Sequence, residues 1–348
     1  MRKRFGNSIV IPGIRVSSLS IAAAKEIGFN FVDEPILQKN IESVSLSSSL
    51  IDAHAGVVSM LVFGNLATGD NSECDSYENV FCMISGTSTC HMILNKRRFT
   101  TKGVWGPYFD AIIPGYYLRE AGQSATGKLI EHVINFYYNY KLPSKITEII
   151  SILNKELQMK NFNHKTPLIV NPTFHGNRSP IADPQLKGAF YGFTLEKTSL
   201  LDLYVATVEG IAYETRFIIE EIEKNSDKIL KIIVTGGLTK NDLYLQLHSD
   251  ILGIELVTFT AGDADLMLVG ASVIAFTASQ INSTSERSQL IKLLRKLNTD
   301  FDGFKSQVRV FKPRKINLDY HQKKYQCYRC LLDCCLQIEA TISDKLLL

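Results

Sequence analysis

The stretch Ile84–Met92 has residue types that could bind an anion. Two apolar runs, Asn79–Ile84 and Cys90–Leu94, flank a short segment of glycine and hydroxyl residues, which is the pattern of a β-hairpin with a tight turn. In such a turn, the backbone N–H groups and hydroxyls of Gly86, Thr87 and Ser88 can converge on a phosphate. Small polar turns also simply connect strands, so both interpretations stay open at this point.

A second glycine-rich turn, Gly236-Gly237, follows the β-branched run Lys231–Thr235. Thr239 or Asn241 can cap the helix that comes next. A strand–glycine–helix junction lets a nucleotide approach the backbone and the positive end of a helix. The alternative is an ordinary turn that needs a positive φ.

Asp52 follows a run that could be a short strand, Ser45–Ile51, and precedes an apolar segment of helical character, Val57–Phe63. An N-cap is one interpretation of its position. The other interpretation is a general base. In phosphoryl transfer the base mainly has to orient the attacking hydroxyl, so an ordinary carboxylate suffices.

One near-match to a known phosphate-binding loop is weak. Gly122–Lys128 resembles a Walker A sequence, but Leu129 stands where a Ser or Thr would hold Mg²⁺. The segment before it, Tyr116–Glu120, is not a convincing buried strand. We therefore expect no P-loop here.

The composition limits the class of protein. The 348 residues predict two domains, and 45% hydrophobic with 21% charged residues is ordinary for a globular protein. A net charge of +3 favours no nucleic-acid partner, and no apolar run is long enough to predict a membrane span. An odd number of cysteines, seven, argues against a secreted disulfide framework, so we expect a cytoplasmic protein.

Apolar periodicity predicts the elements that must position these residues. Helices are expected over residues 14–28, 124–138, 146–159, 200–224 and 263–279, and strands over 231–235 and 255–259. The order strand, Gly-Gly turn, helix, strand predicts an α/β layered fold. The small residues Gly270, Ala271 and Ser272 predict close packing of the helix that contains them.

Two clusters near the end of the chain have simple interpretations. The spacing of Cys327, Cys330, Cys334 and Cys335 favours a buried helix face over a zinc site. The cations from Arg309 to Lys324 are expected to form a solvated face.

Several segments, in order, resemble the FGGY carbohydrate kinases, and most closely their D-ribulokinase-like branch. The resemblance extends from about Ser17 to Tyr325. Its segments are Ser49–Gly56, Ile84–Met92, Gly103–Tyr108, Glu120–Gly127, His175–Pro180, Thr235–Gly237 with Asn241, and Leu268–Ser272. Each segment is weakly specific, whereas the ordered set is strongly so.

The resemblance implies an actin-like ATPase fold of the ribonuclease H type, with ATP and sugar between two α/β domains. It implies transfer of the γ-phosphoryl group of ATP, with Mg²⁺, to a hydroxyl of a pentulose such as D-ribulose. Asp52 would be the base. The nucleotide would be held by Gly86, Thr87, Ser88, Gly127, Glu131, Gly236, Gly237 and Asn241. No protein metal ligand is implied.

The sequence departs from the family at its start, since nothing resembling the family's first Asp-x-Gly-Thr hairpin precedes Asp52. We therefore expect residues 1–79 to be a remnant of the N-terminal kinase domain, 80–330 to be the complete C-terminal domain, and 331–348 to be a helical tail. The alternative function is a truncated, catalytically inactive nucleotide-binding or interaction module. The sequence gives no oligomeric state.

Overall fold

The computed structural model describes residues 10–29, 40–64, 77–196, 198–259, 265–281, 287–300 and 308–345. The strands are β1 Arg15–Ser18, β2 Ser45–Ser47, β3 Val80–Ser85, β4 Thr89–Asn95, β5 Trp105–Phe109, β6 Tyr117–Gln123, β7 Ile169–Asn171, β8 Ala189–Tyr191, β9 Lys231–Thr235, β10 Glu255–Phe259 and β11 Val308–Phe311. The helices are α1 Ile21–Glu26, α2 Asp52–Gly64, α3 Gly127–Tyr137, α4 Ile146–Met159, α5 Leu200–Glu223, α6 Asp242–Leu252, α7 Leu266–Gln280, α8 Arg287–Asp300 and α9 Leu318–Lys345.

Seven strands form the main sheet in the order β11-β10-β9-β3-β4-β6-β5. The central strands β3, β9 and β10 run parallel, and β4, β6 and β5 extend the sheet as antiparallel neighbours. Because Ile84 of β3 is level with Thr235 of β9, the turns that follow these two strands lie side by side. The end of a parallel pair is where open α/β sheets usually bind ligands.

Each face of the sheet is covered by its own core. Along β3, Phe81 and Met83 point to a core that includes residues of α3 to α6 and α9, whereas Val80 and Cys82 point to a core with α2, α7 and α8. This alternation follows from the two-residue period of a strand. The α/β layered fold predicted from the sequence is confirmed.

Helices α2 and α7 cross at very short range. A Cβ added to Gly270 would lie 1.7 Å from the carbonyl oxygen of Ala55, so only glycine is compatible with this crossing. The predicted close packing is thus confirmed for Gly270. Ala271 and Ser272 are exposed and take no part in it.

Several other expectations are confirmed almost to the residue. The strands β9 and β10, the helices α4 and α5, and the hairpin β3–β4 lie where periodicity places them. Asn241 is the N-cap of α6, because its Oδ1 accepts a hydrogen bond from Tyr244 N at 3.2 Å.

Two predicted elements are wrong. The helix expected over residues 14–28 is a strand, β1, followed by the short helix α1 with Ser20 as N-cap, because β1 pairs with β2. Tyr116–Glu120, which was not expected to be a buried strand, belongs largely to β6 in the main sheet.

Both clusters near the end of the chain differ from the expectation. In α9, Cys335 is buried, but Cys327, Cys330 and Cys334 are exposed, so the thiols do not form one buried face. Among the expected solvated cations, Lys324 is buried against Glu209 at 2.5 Å, and Arg314 contacts the buried Asp250. These two cations pair with buried carboxylates, whereas Lys312, Lys315 and Lys323 are exposed as expected.

The domain division stays a prediction. Its boundary at 330/331 falls inside α9, which is one continuous helix, and α2 from the first segment packs in the same core as the main sheet. Among the helices described, none is long and apolar enough to cross a membrane.

Candidate active site

The hairpin turn Gly86–Ser88 is fastened to the first turn of α3. The backbone N–H groups of Thr126 and Lys128 donate to the Thr87 carbonyl at 2.9 and 3.2 Å, and that of Gly127 donates to the Gly86 carbonyl at 3.0 Å. These N–H groups are normally left unpaired at a helix start. Because the turn uses them, a phosphate here would instead meet the tip of the turn, where Thr87 is exposed and Ser88 half-buried.

Gly127 has a structural reason to be glycine. A Cβ at this position would lie 2.6 Å from the Gly86 carbonyl oxygen, so a side chain would push α3 away from the turn. The structure therefore brings Gly127 against the turn and explains why this position is glycine by the close approach of two backbones.

The two residues of the Gly-Gly turn play different parts. Gly236 has φ +99°, and a Cβ there would lie 2.4 Å from the Ser85 carbonyl oxygen at the end of β3. At Gly237, no atom of the described residues outside its immediate chain neighbours lies within 4 Å of the corresponding position. Gly236 thus allows the end of β9 to lie against the end of β3, while the backbone of Gly237 is open to a ligand.

A cavity of about 410 Å³ opens beside Gly237. One wall is α4 and the other is the segment from the Gly-Gly turn to the start of α6. The lining residues are Thr147, Ile150, Ser151, Asn154, Lys155, Gln158, Gly237, Leu238, Lys240, Asn241 and Asp242. The size and the mixed polar and apolar walls suit a small organic ligand.

Asn241 is buried at the inner edge of this cavity in a closed ring of hydrogen bonds. Its Nδ2 donates to the Tyr204 hydroxyl at 2.8 Å, that hydroxyl donates to Asn154 Oδ1 at 3.0 Å, and Asn154 Nδ2 donates to Asn241 Oδ1 at 3.1 Å. The ring connects α4, α5 and the cap of α6. It fixes both walls of the cavity relative to each other.

Glu131 lies outside this cavity. Its carboxylate is partly exposed and accepts from Lys128 Nζ at 2.9 Å one helical turn earlier. Gly127 is connected to the cavity indirectly, because Leu238, which lines it, would be 3.5 Å from a Cβ on Gly127. Of the eight predicted nucleotide residues, the cavity lining thus contains Gly237 and Asn241.

Asp52 begins α2 and is exposed, with Oδ1 accepting from the N–H of Ala53 at 2.7 Å. It lines a second cavity of about 310 Å³ between β2 and α7, whose walls include Ser49, Leu268 and Ala271. This geometry leaves the carboxylate open to a ligand.

A pair that the sequence did not predict anchors Asp52 to the sheet. His54 Nε2 lies 2.5 Å from Glu120 Oε1. Glu120 is three residues from Gln123, which is level with Thr89 at the hairpin turn. Three residues of strand span about 10 Å. The His54–Glu120 pair thus joins the first turn of α2, which Asp52 begins, to the strand that ends beside the hairpin turn.

The chain resembles known proteins along most of its length. Residues 82–279 match the profile of the C-terminal domain of the FGGY family of carbohydrate kinases. An FGGY carbohydrate kinase domain-containing protein from Xenopus laevis is 34% identical over 93% of this chain and 59% of its own length. The chain belongs to the FGGY family of carbohydrate kinases.

Two further comparisons concern a second relative and the fold. A D-ribulokinase from Saccharomyces cerevisiae is 30% identical over 72% of this chain and 38% of its own length. The crystal structure of a xylulose kinase from Rhodospirillum rubrum superposes with a TM-score of 0.67, covering 94% of this chain and 57% of that one at 14% identity. The likeness confirms the actin-like ATPase fold, which FGGY sugar kinases share.

The chain spans about 59% of the length of the Xenopus FGGY relative. FGGY kinases use ATP as the phosphoryl donor. Among the residues that the structure describes, no three His, Cys, Asp or Glu side chains come together as metal ligands. Mg²⁺ commonly binds through one or two carboxylates and the substrate phosphates, so the absence of a protein cage here is compatible with its use.

The structure also explains two FGGY segments whose roles the sequence left open. Gln123 Nε2 donates to Glu214 Oε2 at 2.9 Å, and Asn177 Nδ2 donates to Glu214 Oε1 at 2.8 Å. Burial raises the pKa of Glu214 to about 7, and these two hydrogen bonds partly oppose the rise. The segments Glu120–Gly127 and His175–Pro180 therefore meet at one buried carboxyl beneath the hairpin. The only signal of this in the sequence is a glutamate on α5 that follows the apolar run Ile211–Tyr213.

Proposed function

We propose that this chain provides the nucleotide-binding part of a carbohydrate kinase that transfers the γ-phosphoryl group of ATP, with Mg²⁺, to a hydroxyl of a pentulose such as D-ribulose. One observation carries the proposal. The hairpin turn Gly86–Ser88 and the open backbone of Gly237 end adjacent strands, beside a cavity of about 410 Å³. This is the arrangement expected for phosphates at the strand ends and a nucleoside beside them.

The nucleoside would enter the cavity between α4 and Gly237, with Asn241 at its inner edge. The phosphates would extend towards Thr87 and Ser88, whose N–H groups and hydroxyls suit phosphoryl oxygens. Gly236, Gly127 and Glu131 would act behind this surface, the glycines by allowing close backbone contacts. The bound nucleotide supplies the phosphoryl group, and Mg²⁺ would be held mainly by its phosphates.

Asp52 would take the proton of the attacked hydroxyl. The new bond joins the sugar oxygen to the γ-phosphorus, while the bond from that phosphorus to the bridging oxygen breaks and its electron pair leaves with ADP. Because the transition state is loose, the main task of Asp52 would be to orient the hydroxyl. Its exposure and its position beside the His54–Glu120 pair support this role.

The test is ATP-dependent phosphorylation of D-ribulose, D-xylulose and related polyols, followed by mass spectrometry of the sugar phosphate. The chain should be assayed by itself and joined to the part of the Xenopus relative that it does not cover. We expect turnover of a pentulose by the joined protein. If neither form phosphorylates any pentulose or polyol, the proposed kinase activity is wrong.

A nucleotide-binding module without turnover is the second candidate. The exposed apolar side chains near Asp52 favour it, because Ile51 and Leu268 are 62% and 68% exposed. Exposed apolar surface often marks a place where another protein or domain binds. Calorimetry with Mg·ATP separates the two candidates: binding by the chain without turnover in either form supports the module, whereas turnover by the chain itself refutes it.

A further inference from the structure

Arg178 carries a half-buried guanidinium without a carboxylate partner among the residues that the structure describes. Its one hydrogen bond there is a weak contact from Nη1 to Cys90 Sγ at 3.8 Å. Two other partly buried arginines do have a carboxylate partner, Arg216 in Glu220 and Arg314 in Asp250. A cation partly removed from water is stabilised by a nearby anion, so this position suits an anionic ligand.

The surroundings hold the guanidinium in place. Its plane lies over the ring of Trp105, with Cζ 5.1 Å from the ring centroid. A Cβ on Gly122 would lie 3.1 Å from Arg178 Cδ and 3.2 Å from Nε, so glycine leaves room for the side chain to lie along β6. Arg178 is therefore fixed by an aromatic face and a strand before any ligand binds.

The guanidinium lies close to the hairpin turn. Cys90, which it contacts, is two residues beyond Ser88, and Gly122 is the strand partner of Cys90. Two residues of strand span about 7 Å. The charge of Arg178 also acts on His91 in the same strand as Cys90. The pKa of His91 is lowered to about 3, mainly by burial and further by the nearby His248 and Arg178.

We propose that Arg178 binds the phosphoryl group that is transferred, on the nucleotide before transfer and on the sugar afterwards. This inference rests on the proposed function. The planar guanidinium can donate two parallel hydrogen bonds to phosphoryl oxygens, which a lysine cannot do. Arg178 exchanges no proton and forms no covalent bond. It offsets the negative charge of the equatorial oxygens, next to the turn that holds the rest of the phosphates.

Calorimetry on the full chain tests this with two ligands that differ in one phosphate, Mg·ADP and the β,γ-imido analogue of Mg·ATP. In Arg178→Gln we expect the analogue to bind about 10- to 100-fold more weakly, as for a lost charged hydrogen bond. The affinity for ADP should change less than about 3-fold. The affinity of Arg178→Lys for the analogue should lie between those of the wild type and Arg178→Gln, because lysine keeps the charge but lacks the planar guanidinium.

Arg216→Gln is the matched control, since Arg216 also lies over an aromatic ring, Tyr325, but has its own carboxylate. It should leave both affinities unchanged. Equal losses for ADP and the analogue in Arg178→Gln, or no loss for either, would overturn this inference while leaving nucleotide binding intact. A wild-type chain that binds neither ligand would overturn the proposed function and this inference together.

Discussion

The hairpin turn Gly86–Ser88 and the region around Asp52 are built in opposite ways. The turn is held by backbone hydrogen bonds from α3, and Gly127 and Gly236 allow backbone contacts that no other residue would permit. Asp52 is exposed, and its carboxylate bonds to the adjacent N–H of Ala53. In the proposed function, the turn belongs to the nucleotide side, which is preorganised by the chain itself, and Asp52 belongs to the acceptor side, which offers an open carboxylate.

This difference has an energetic meaning. A preorganised site loses little conformational entropy when its ligand binds. We therefore expect nucleotide binding to depend on the buried contacts behind the hairpin, and catalysis to depend on the single exposed carboxylate. Changes on the two sides should then have separable effects, on stability and affinity for one side and on turnover for the other.

Asp52→Asn should separate the two sides most strongly. Replacing the base by an amide should lower kcat at least about 100-fold in the joined protein, because general-base groups contribute about that much or more. The dissociation constant of Mg·ATP should stay within about 2-fold. Steady-state kinetics and calorimetry measure the two quantities.

Asp227→Asn is the control for this change, since Asp227 is an exposed carboxylate that pairs with Arg97 at 3.0 Å. Its turnover should equal that of the wild type. If Asp52→Asn also keeps its full turnover, Asp52 only begins α2 and the base lies elsewhere.

Gly236→Ala should have the next largest effect, a loss of stability on the nucleotide side. The added Cβ would lie 2.4 Å from the Ser85 carbonyl oxygen at a φ of +99°, so both crowding and backbone strain destabilise the fold. We expect a loss of about 3 kcal/mol in the free energy of unfolding, measured with urea.

Gly237→Ala is the matched comparison, because in the part of the chain that the structure describes no neighbouring atom lies within 4 Å of the added Cβ. Its stability should change by less than about 1 kcal/mol. Its methyl group would face the cavity, so ATP affinity should fall although the fold is intact. Equal stability losses in both variants would contradict the different parts assigned to the two glycines.

Glu214 gives the nucleotide side a dependence on pH. Its pKa is raised by burial to about 7 from an ordinary 4.5, so the folded protein keeps a proton that the unfolded chain releases between these values. The stabilisation is fully present below about pH 4.5 and is lost as the pH rises to about 7. The size of this stabilisation is about 3 kcal/mol.

The variant Glu214→Gln isolates this contribution. His91 and His248, whose pKa values burial lowers to about 3 and about 4, give the opposite trend in wild type and variant alike. The stability of the wild type minus that of Glu214→Gln should therefore fall from pH 4.5 to 7. Urea unfolding at several pH values measures this difference, and a constant difference would show that Glu214 is already ionised at low pH.

The sequence predicted the hairpin and the Gly-Gly turn because local signals suffice there, with apolar runs of strand type interrupted by glycines. The sequence did not predict β6, because Arg119, Glu120 and Gln123 are polar and interrupt the apolar pattern of a buried strand. In the structure each of them has a partner distant in sequence, at Asn95, His54 and Glu214 respectively. A buried polar strand is recognisable only when those partners are known, because its stability comes from tertiary hydrogen bonds.

The same reasoning explains what could be predicted of the site. Gly237 and Asp52 could be found because their neighbours in the chain define a turn and a helix start. Asn154 and Tyr204 could not, because each is an ordinary residue on an amphipathic helix until Asn241 is brought against it. A residue whose role depends on partners distant in the chain has no recognisable pattern in the sequence around it.

Tyr204→Phe tests this hidden contribution and has the smallest expected effect. Removing the hydroxyl leaves Asn241 Nδ2 and Asn154 Oδ1 each short of a partner and loosens the two walls of the cavity. We expect the dissociation constant of Mg·ATP to rise about 3- to 10-fold, as for one lost buried hydrogen bond. In the joined protein, KM for ATP should rise while kcat stays near the wild-type value.

Tyr213→Phe is the control, because Tyr213 lies on the same helix and also loses a buried hydrogen bond, to His321 Nδ1 at 3.0 Å. Both variants should lose similar stability, since each gives up one hydroxyl in the core. Only Tyr204→Phe should weaken ATP binding. If both weaken it equally, the ring of Tyr204, Asn154 and Asn241 stabilises the fold in general, and the cavity owes its shape to the backbone of the Gly-Gly turn instead.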